Sequence, residues 1–431
     1  MHILPTTGGL SQARLSAGAA LRHLPLTLGL SGVLLLGHFL PPGHDAQRLL
    51  QLALLLVFGV ALPLRGAWIA AVAAMPPALL VFFVLGLVSS LRAYSPRHAG
   101  YELSSLLLLL ALALCVAQEM RRDYERALLW VLRLCAAACL LYSCQVLSVY
   151  CFSLLSGLQA TIEDFAPGFS NYRFLNHAQT VSLPLLVLLA VLDRPAGKAR
   201  PLWLGLAGFW WALLMLFGAR GSIIGLLGAG LAVALLRRRH ARALCATLCL
   251  TAALGALIYA VFFAALPLAL GMQPFGALQD LAQRTAVDAG SGRMPLWRAA
   301  SGLIAAHPWL GAGPLHFAHY AVDKGAAHPH DWVLQIGAEW GLPALLCLCL
   351  AILSAARALL DKVAALAPED ARNHSIGAAW IWIGGAVLVD GLVSGLIVMP
   401  LSQLMIALYL GCALAWTRAP APAPLGPGRR A

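Results

Sequence analysis

The chain is built from apolar runs, most of them long enough to cross a bilayer, and this limits its fold more than any motif does. A helix needs about 20 consecutive apolar residues to span the hydrocarbon core, where every backbone amide must find its partner inside the protein. Twelve runs follow one another, at 24–40, 49–64, 67–91, 102–118, 127–157, 175–192, 202–219, 221–236, 243–270, 333–358, 377–397 and 400–417. Of the 431 residues, 61% are hydrophobic and 11% charged, whereas soluble domains carry about 25% charged residues. Such a chain cannot cover itself with polar surface. The expected fold is therefore all-α, a polytopic membrane protein with about twelve transmembrane helices.

Details of the runs refine this picture. The first follows Arg14 and Arg22 with no clear small-residue cleavage site, so it reads as a retained helix. The fifth and ninth are long enough to tilt or to project beyond the bilayer. Pro76 and Pro77 predict a kink in the third. All ten cysteines lie in or beside apolar runs. That placement suits small apolar filler better than a disulfide framework or a thiolate metal site. The net charge of +12 does not indicate nucleic acid, because the cations are scattered between apolar runs and form no continuous patch.

Lys and Arg favour cytoplasmic loops. Placing both termini inside puts the clusters Arg121, Arg122, Arg126 and Arg237, Arg238, Arg239, Arg242 on the cytoplasmic side. The division that follows is a cytoplasmic N-terminus at 1–23, nine spans over 24–270, a periplasmic loop at 271–332 with short helices, three spans over 333–417 and a disordered cytoplasmic tail at 418–431. The long loop is the one extended polar interval. It carries Arg284, Arg293, Arg298 and Lys324 with His307, His316, His319, His328 and His330. Its arginines run against the charge rule, so something other than orientation must favour them.

Four groups are predicted to converge on the outer side: Arg173 before the sixth run, Arg220 where the seventh run turns into the eighth, Arg293 with its neighbours Arg284 and Arg298, and the turn His328-Pro329-His330-Asp331. A snorkelling arginine at a hairpin is the plain reading of Arg220. An anion contact, aided by the amide donors that open the next helix, is the functional one. Arginine forks donate paired hydrogen bonds to phosphate oxygens, which suits a diphosphate. Asp331 reads as a helix N-cap. His330 would then project from the helix start, where nearby arginines would keep it neutral and able to accept a proton. Zinc held by the pairs His316/His319 and His328/His330 is the rival reading, although neither pair has a standard ligand spacing. Glu339 and Asp390 are intramembrane carboxylates, and Asp390 is placed to pair with an arginine or to orient a histidine. Trp297, Trp309 and Trp332 suit sugar stacking or an interfacial aromatic belt equally well.

Several of these residues form motifs: Ala219-Arg220-Gly221-Ser222, Gly292-Arg293 with Trp297, His307-Pro308-Trp309-Leu310-Gly311-Ala312-Gly313, and His328-Pro329-His330-Asp331 followed by Leu334, Gln335, Glu339, Gly341 and Leu342. Together they resemble the O-antigen ligase and O-antigen polymerase superfamily of bacterial membrane glycosyltransferases, over about residues 171–343. The resemblance implies an inner-membrane enzyme that takes a glycan from undecaprenyl diphosphate on the periplasmic face. The glycan passes to lipid A–core, to a growing glycan or to a protein such as pilin, without a metal or other cofactor. It implies His330 as base, with His328 as the alternative, and Arg220 and Arg293 as diphosphate contacts. Arg173, Arg284, Arg298, His328, Glu339, Asp390 and Trp297 are the further substrate-binding candidates. Many members have Asn where this chain has Asp331. An O-antigen ligase is the favoured member, ahead of a pilin-type oligosaccharyltransferase or a polymerase. A transporter of an anionic or lipid-linked substrate is the reading from another class, but the broken helices in corresponding halves that would mark it are not evident.

Overall fold

A computed structural model describes residues 75–121, 123–169, 171–193, 198–236, 241–276, 293–321 and 326–419. The first two apolar runs, residues 420–431 of the expected C-terminal tail, Arg284 and Lys324 lie outside the described residues, while Arg418, expected to open that tail, ends a helix. Every regular element among the described residues is a helix. In chain order these are α1 (Pro77–Arg92), α2 (Pro96–Met120), α3 (Tyr124–Ser156), α4 (Tyr172–Leu192), α5 (Arg200–Leu216), α6 (Arg220–Leu236), α7 (Arg242–Ile258) and α8 (Leu266–Ala269). There follow α9 (Arg293–Ala306), α10 (Phe317–Tyr320), α11 (Trp332–Trp340), α12 (Leu342–Ala364), α13 (Ala371–Gly391) and α14 (Pro400–Arg418).

Six segments are long and apolar enough to cross a membrane: α2, α3, α4, the continuous Arg242–Ala269 stretch, α12 and α14. Three shorter apolar helices, α1, α5 and α6, accompany them. Twelve spans are thus not reached among the described residues. The expected boundaries from the fourth run onward otherwise hold to within several residues, with two exceptions.

The run at 333–358 is two helices, broken at Gly341, whose φ is +89°. The ninth run changes from α to π geometry over Tyr259–Ala265 before closing as α8. The part of the third run that precedes Pro76 and Pro77, 67–74, lies outside the described residues; the described part starts a helix, with Pro77 as the first residue of α1. There the missing amide hydrogen costs nothing, because the first turn has no intrahelical acceptor for it.

The bundle is organised around α4. Its spanning window is completely buried, and it packs against α3, α5, α6, α7, α13 and α14. Enclosed on all sides, it can carry polar residues that never meet lipid: Asn176, His177, Gln179, Thr180 and Ser182 are all buried. α6 lies along α13, and glycines on α6 make that approach possible. A Cβ at Gly225 would lie 2.7 Å from the carbonyl oxygen of Ala386. By contrast, α1 and α12 expose Leu87, Leu91, Leu346 and Leu353, as helices facing lipid do.

The polar interval is fixed to this bundle by a backbone clip. The amides of Ala312 and Gly313 donate to the carbonyls of Ala338 and Glu339, each at 2.9 Å, and Leu342 N donates to Pro308 O at 2.8 Å. The His-Pro-Trp-Leu-Gly-Ala-Gly stretch thereby satisfies carbonyls that the end of α11 would leave without partners. Gly311 has φ +66°, and a Cβ there would fall 2.3 Å from the Glu339 carbonyl carbon. Gly311→Ala should therefore lower the thermal midpoint of the detergent-solubilised protein, since overpacking of this kind costs about 1–3 kcal/mol. Gly302→Ala, where a Cβ meets open space, should not; equal midpoints for the two variants would contradict the clip.

Candidate functional site

The site is assembled from helix ends. Three arginines stand in first turns: Arg173 in α4, Arg220 in α6 and Arg293 in α9. The starts of these helices direct their amide dipoles outward, which favours negative charge at the same place. The chain builds each start locally. Asn171 caps α4 by accepting from the amide of Arg173 at 2.9 Å. Gly218, with φ +60°, reverses the chain after α5 so that α6 begins within two residues.

The C-terminal end of α13 supplies the floor. Asp390 is 1% exposed. Its Oδ2 accepts from Thr180 Oγ1 at 2.8 Å and from Ser222 Oγ at 3.0 Å. Gly221 leaves room for it, because a Cβ there would come within 2.7 Å of Asp390 Oδ1. His177 Nδ1 lies 3.9 Å from Oδ2, in ion-pair range but beyond a hydrogen bond. On α4, residues 173, 177 and 180 recur at helical spacing, so Arg173, His177 and Thr180 share one face. That face points toward Asp390.

The His-Pro-His turn closes the site from the other side. Asp331 caps α11, with Oδ1 accepting from the amides of Val333 at 2.8 Å and Leu334 at 3.0 Å. The expected N-cap is therefore present. Trp297 Nε1 donates to Pro329 O at 3.1 Å, tying α9 to the turn. Trp332 Nε1 donates to Leu388 O at 3.3 Å, tying α11 to α13. His328 is buried and lies against Gly395, where a Cβ would meet its ring at 2.2 Å. The half-buried His330 meets the His328 ring edge-on at 4.2 Å. Its φ of +57° is a left-handed conformation uncommon outside glycine, and such strain concentrates at functional sites.

The charged groups act on one another. Burial and the charges of Arg173 and Arg220 bring Arg293 below its ordinary guanidinium value, while Asp390 acts in the opposite sense. Burial, then the charges of Arg293, Arg173 and His177, push His330 down to about 4. Arg173, Arg220, Arg293, His177, His330 and Asp390 thus form one electrostatic unit. Its cations suit an anion, and its neutral imidazole can accept a proton.

Other sequence-predicted residues are placed differently. Glu339 is fully buried, with Oε1 accepting from the amide of Phe317 at 2.9 Å and Oε2 from Gln335 Nε2 at 3.4 Å. It braces α10 onto α11. Arg298 is exposed on α9. Trp297 uses its indole nitrogen on the turn, as described. His316 uses both ring nitrogens, Nδ1 on Pro314 O at 2.7 Å and Nε2 as acceptor from Ser95 N at 2.9 Å. It is therefore the neutral tautomer protonated on Nδ1, and a brace between the α1–α2 turn and the loop. Among the described residues, no three His, Cys, Asp or Glu side chains are grouped to hold a metal ion. The ten cysteines are all free.

Residues 205–349 match the O-antigen ligase family model. The matched stretch holds Arg220, Arg293, His328 and His330, while Arg173, His177 and Asp390 lie outside it. No curated protein gives a significant match to the chain. The match agrees with the O-antigen ligase superfamily and its glycosyltransferase-like enzymes. The apolar helices agree with a membrane protein.

Sequence reasoning did not single out His177. The available signal was spacing: it follows Arg173 by four residues and precedes Thr180 by three on a helix otherwise apolar beyond its first turns. The depressed basicity of His330 also has a direct consequence. Its imidazole should remain neutral at pH 6 in an NMR titration of the solubilised protein, and Arg293→Gln should move its midpoint upward, since a repelling charge is removed. A wild-type midpoint at or above about 6.5, the unperturbed value, would contradict this electrostatic arrangement.

Proposed function

We propose that this protein is a glycosyltransferase of the O-antigen ligase type, moving a glycan from undecaprenyl diphosphate to lipid A–core at the periplasmic face of the bacterial inner membrane. The observation that carries this reading is the meeting of Arg173, Arg220 and Arg293 beside a His330 held neutral. The family match over 205–349 supports it.

Each group has a chemical role in this reading. Arg220 and Arg293 hold the diphosphate with forked hydrogen bonds, and Arg173 adds charge from the start of α4. At about 4 Å and an effective dielectric near 20, one such charge pair is worth about 4 kcal/mol before desolvation. His330 takes the proton of the acceptor hydroxyl as its oxygen forms a bond to the sugar C1. The C1–oxygen bond to the diphosphate breaks, and undecaprenyl diphosphate leaves with that electron pair. The arginines stabilise the charge growing on the leaving oxygen, the task a divalent cation performs in other sites. His330 is preferred to His328 as the base because His328 is buried against Gly395 whereas His330 is half-exposed beside the arginines.

The test is transfer by purified protein with an undecaprenyl-diphosphate glycan as donor and lipid A–core as acceptor. His330→Ala should lower the rate by about 10²–10⁴, the usual contribution of a positioned base. Arg220→Lys keeps the charge but loses the fork, and should also fall sharply. Wild-type transfer by His330→Ala would remove the base assignment, and unchanged kinetics in Arg220→Lys would leave Arg220 as a snorkelling side chain.

A further inference from the structure

Asp390 poses a problem for any anion site at this place. Its carboxylate lies on the floor of an arginine cluster, near enough for its charge to act on Arg293. A bound diphosphate would meet that negative charge, and the carboxylate would compete for the same guanidinium groups. The hydroxyls of Thr180 and Ser222 donate to Oδ2, but hydroxyls are dipoles and leave the net charge in place.

His177 can supply the missing charge. Its Nδ1 is 3.9 Å from the same carboxylate oxygen. The residue is 8% exposed, and Nδ1 is buried without a hydrogen-bond partner. It stands one turn beyond Arg173 on the same face of α4, and its charge reaches His330 across the site. The charged and titratable groups around it are Arg173 on its own helix, Asp390 on α13 and His330 in the turn before α11. Arg293 on α9 and Arg220 on α6 complete the cluster, Arg293 feeling the charges of both Arg220 and Asp390.

We infer that His177 is a positioning residue which, when protonated, pairs with Asp390 and so leaves the arginine cluster free to hold an anionic diphosphate. The inference rests on the diphosphate reading of the preceding subsection. With His177 protonated, the pair is neutral and the three arginines keep their full pull on the ligand. With His177 neutral, the carboxylate is uncompensated, engages the guanidinium groups and repels the diphosphate.

The experiment measures binding of undecaprenyl diphosphate to the purified full-length protein for wild type, His177→Gln, Asp390→Asn and the double variant. His177→Gln should bind about tenfold more weakly than wild type, as expected for one uncompensated charge near the ligand. The double variant should recover near-wild-type affinity, because with the carboxylate gone there is nothing left to neutralise. A purely structural His177 would give weak binding that Asp390→Asn does not restore, and that result overturns the inference. So does wild-type affinity in His177→Gln. Should His177→Gln fail to fold, His177→Asn takes its place in the same cycle, with the same outcomes for and against the pairing. Wild-type protein with no affinity for undecaprenyl diphosphate would remove this inference and the diphosphate reading together. Normal wild-type binding with indifferent variants would remove this inference alone.

Discussion

Asp390 ties three helices together inside an apolar bundle, and the positions of Arg173, His177 and Arg220 follow from it. An isolated buried carboxylate carries a penalty of several kcal/mol. The chain offsets this with Thr180 from α4, Ser222 from α6 and the nearby imidazole of His177. These partners can reach it only if the helices approach closely, which explains Gly221 and Gly225 on the face of α6 turned toward α13. Once α6 is seated, Arg220 must open it at the site. Once α4 is seated, Arg173 and His177 must point the same way. The polar floor therefore acts as a register pin for the helices that hold the cations.

The second half of the site arrives from a different part of the chain and is held by backbone bonds. The glycine-rich stretch after α9 clips onto the end of α11, Glu339 anchors α10, and two indoles tie the His-Pro-His turn to α9 and α13. These contacts fix both flanks of His330, leaving the residue between them in a left-handed conformation. Its ring is thereby presented toward the arginines while His328, two residues earlier, is packed away. A rigid frame around a strained residue is how preorganised sites generally hold their geometry.

Much of this was legible in the sequence. Arg220 between two apolar runs has few places to sit other than a helix start. Asp331 before an apolar run behaves as the cap it resembles. What could not be read depends on partners distant in the chain. The run at 333–358 looks continuous because its hydropathy is continuous, and only the approach of the Trp309 backbone to Gly341 explains the break. Glu339 looks like a site carboxylate, but its partner is an amide in the loop, twenty-two residues back. His177 looks like a core histidine, and its significance depends on a carboxylate on α13. Pro76 and Pro77 read as a kink because the apolar run continues through them, whereas a helix start suits the same residues equally well.

In the proposed reaction, guanidinium groups from three helix starts and the His330 imidazole surround one diphosphate. The most direct measurement is an electron cryomicroscopy map of the full-length protein in a lipid environment with undecaprenyl diphosphate bound. Diphosphate density is expected within hydrogen-bonding reach of Arg220 and Arg293, with Arg173 alongside and the His330 ring facing the adjacent sugar position. Density elsewhere on the protein, or a map that separates these four side chains, would contradict it.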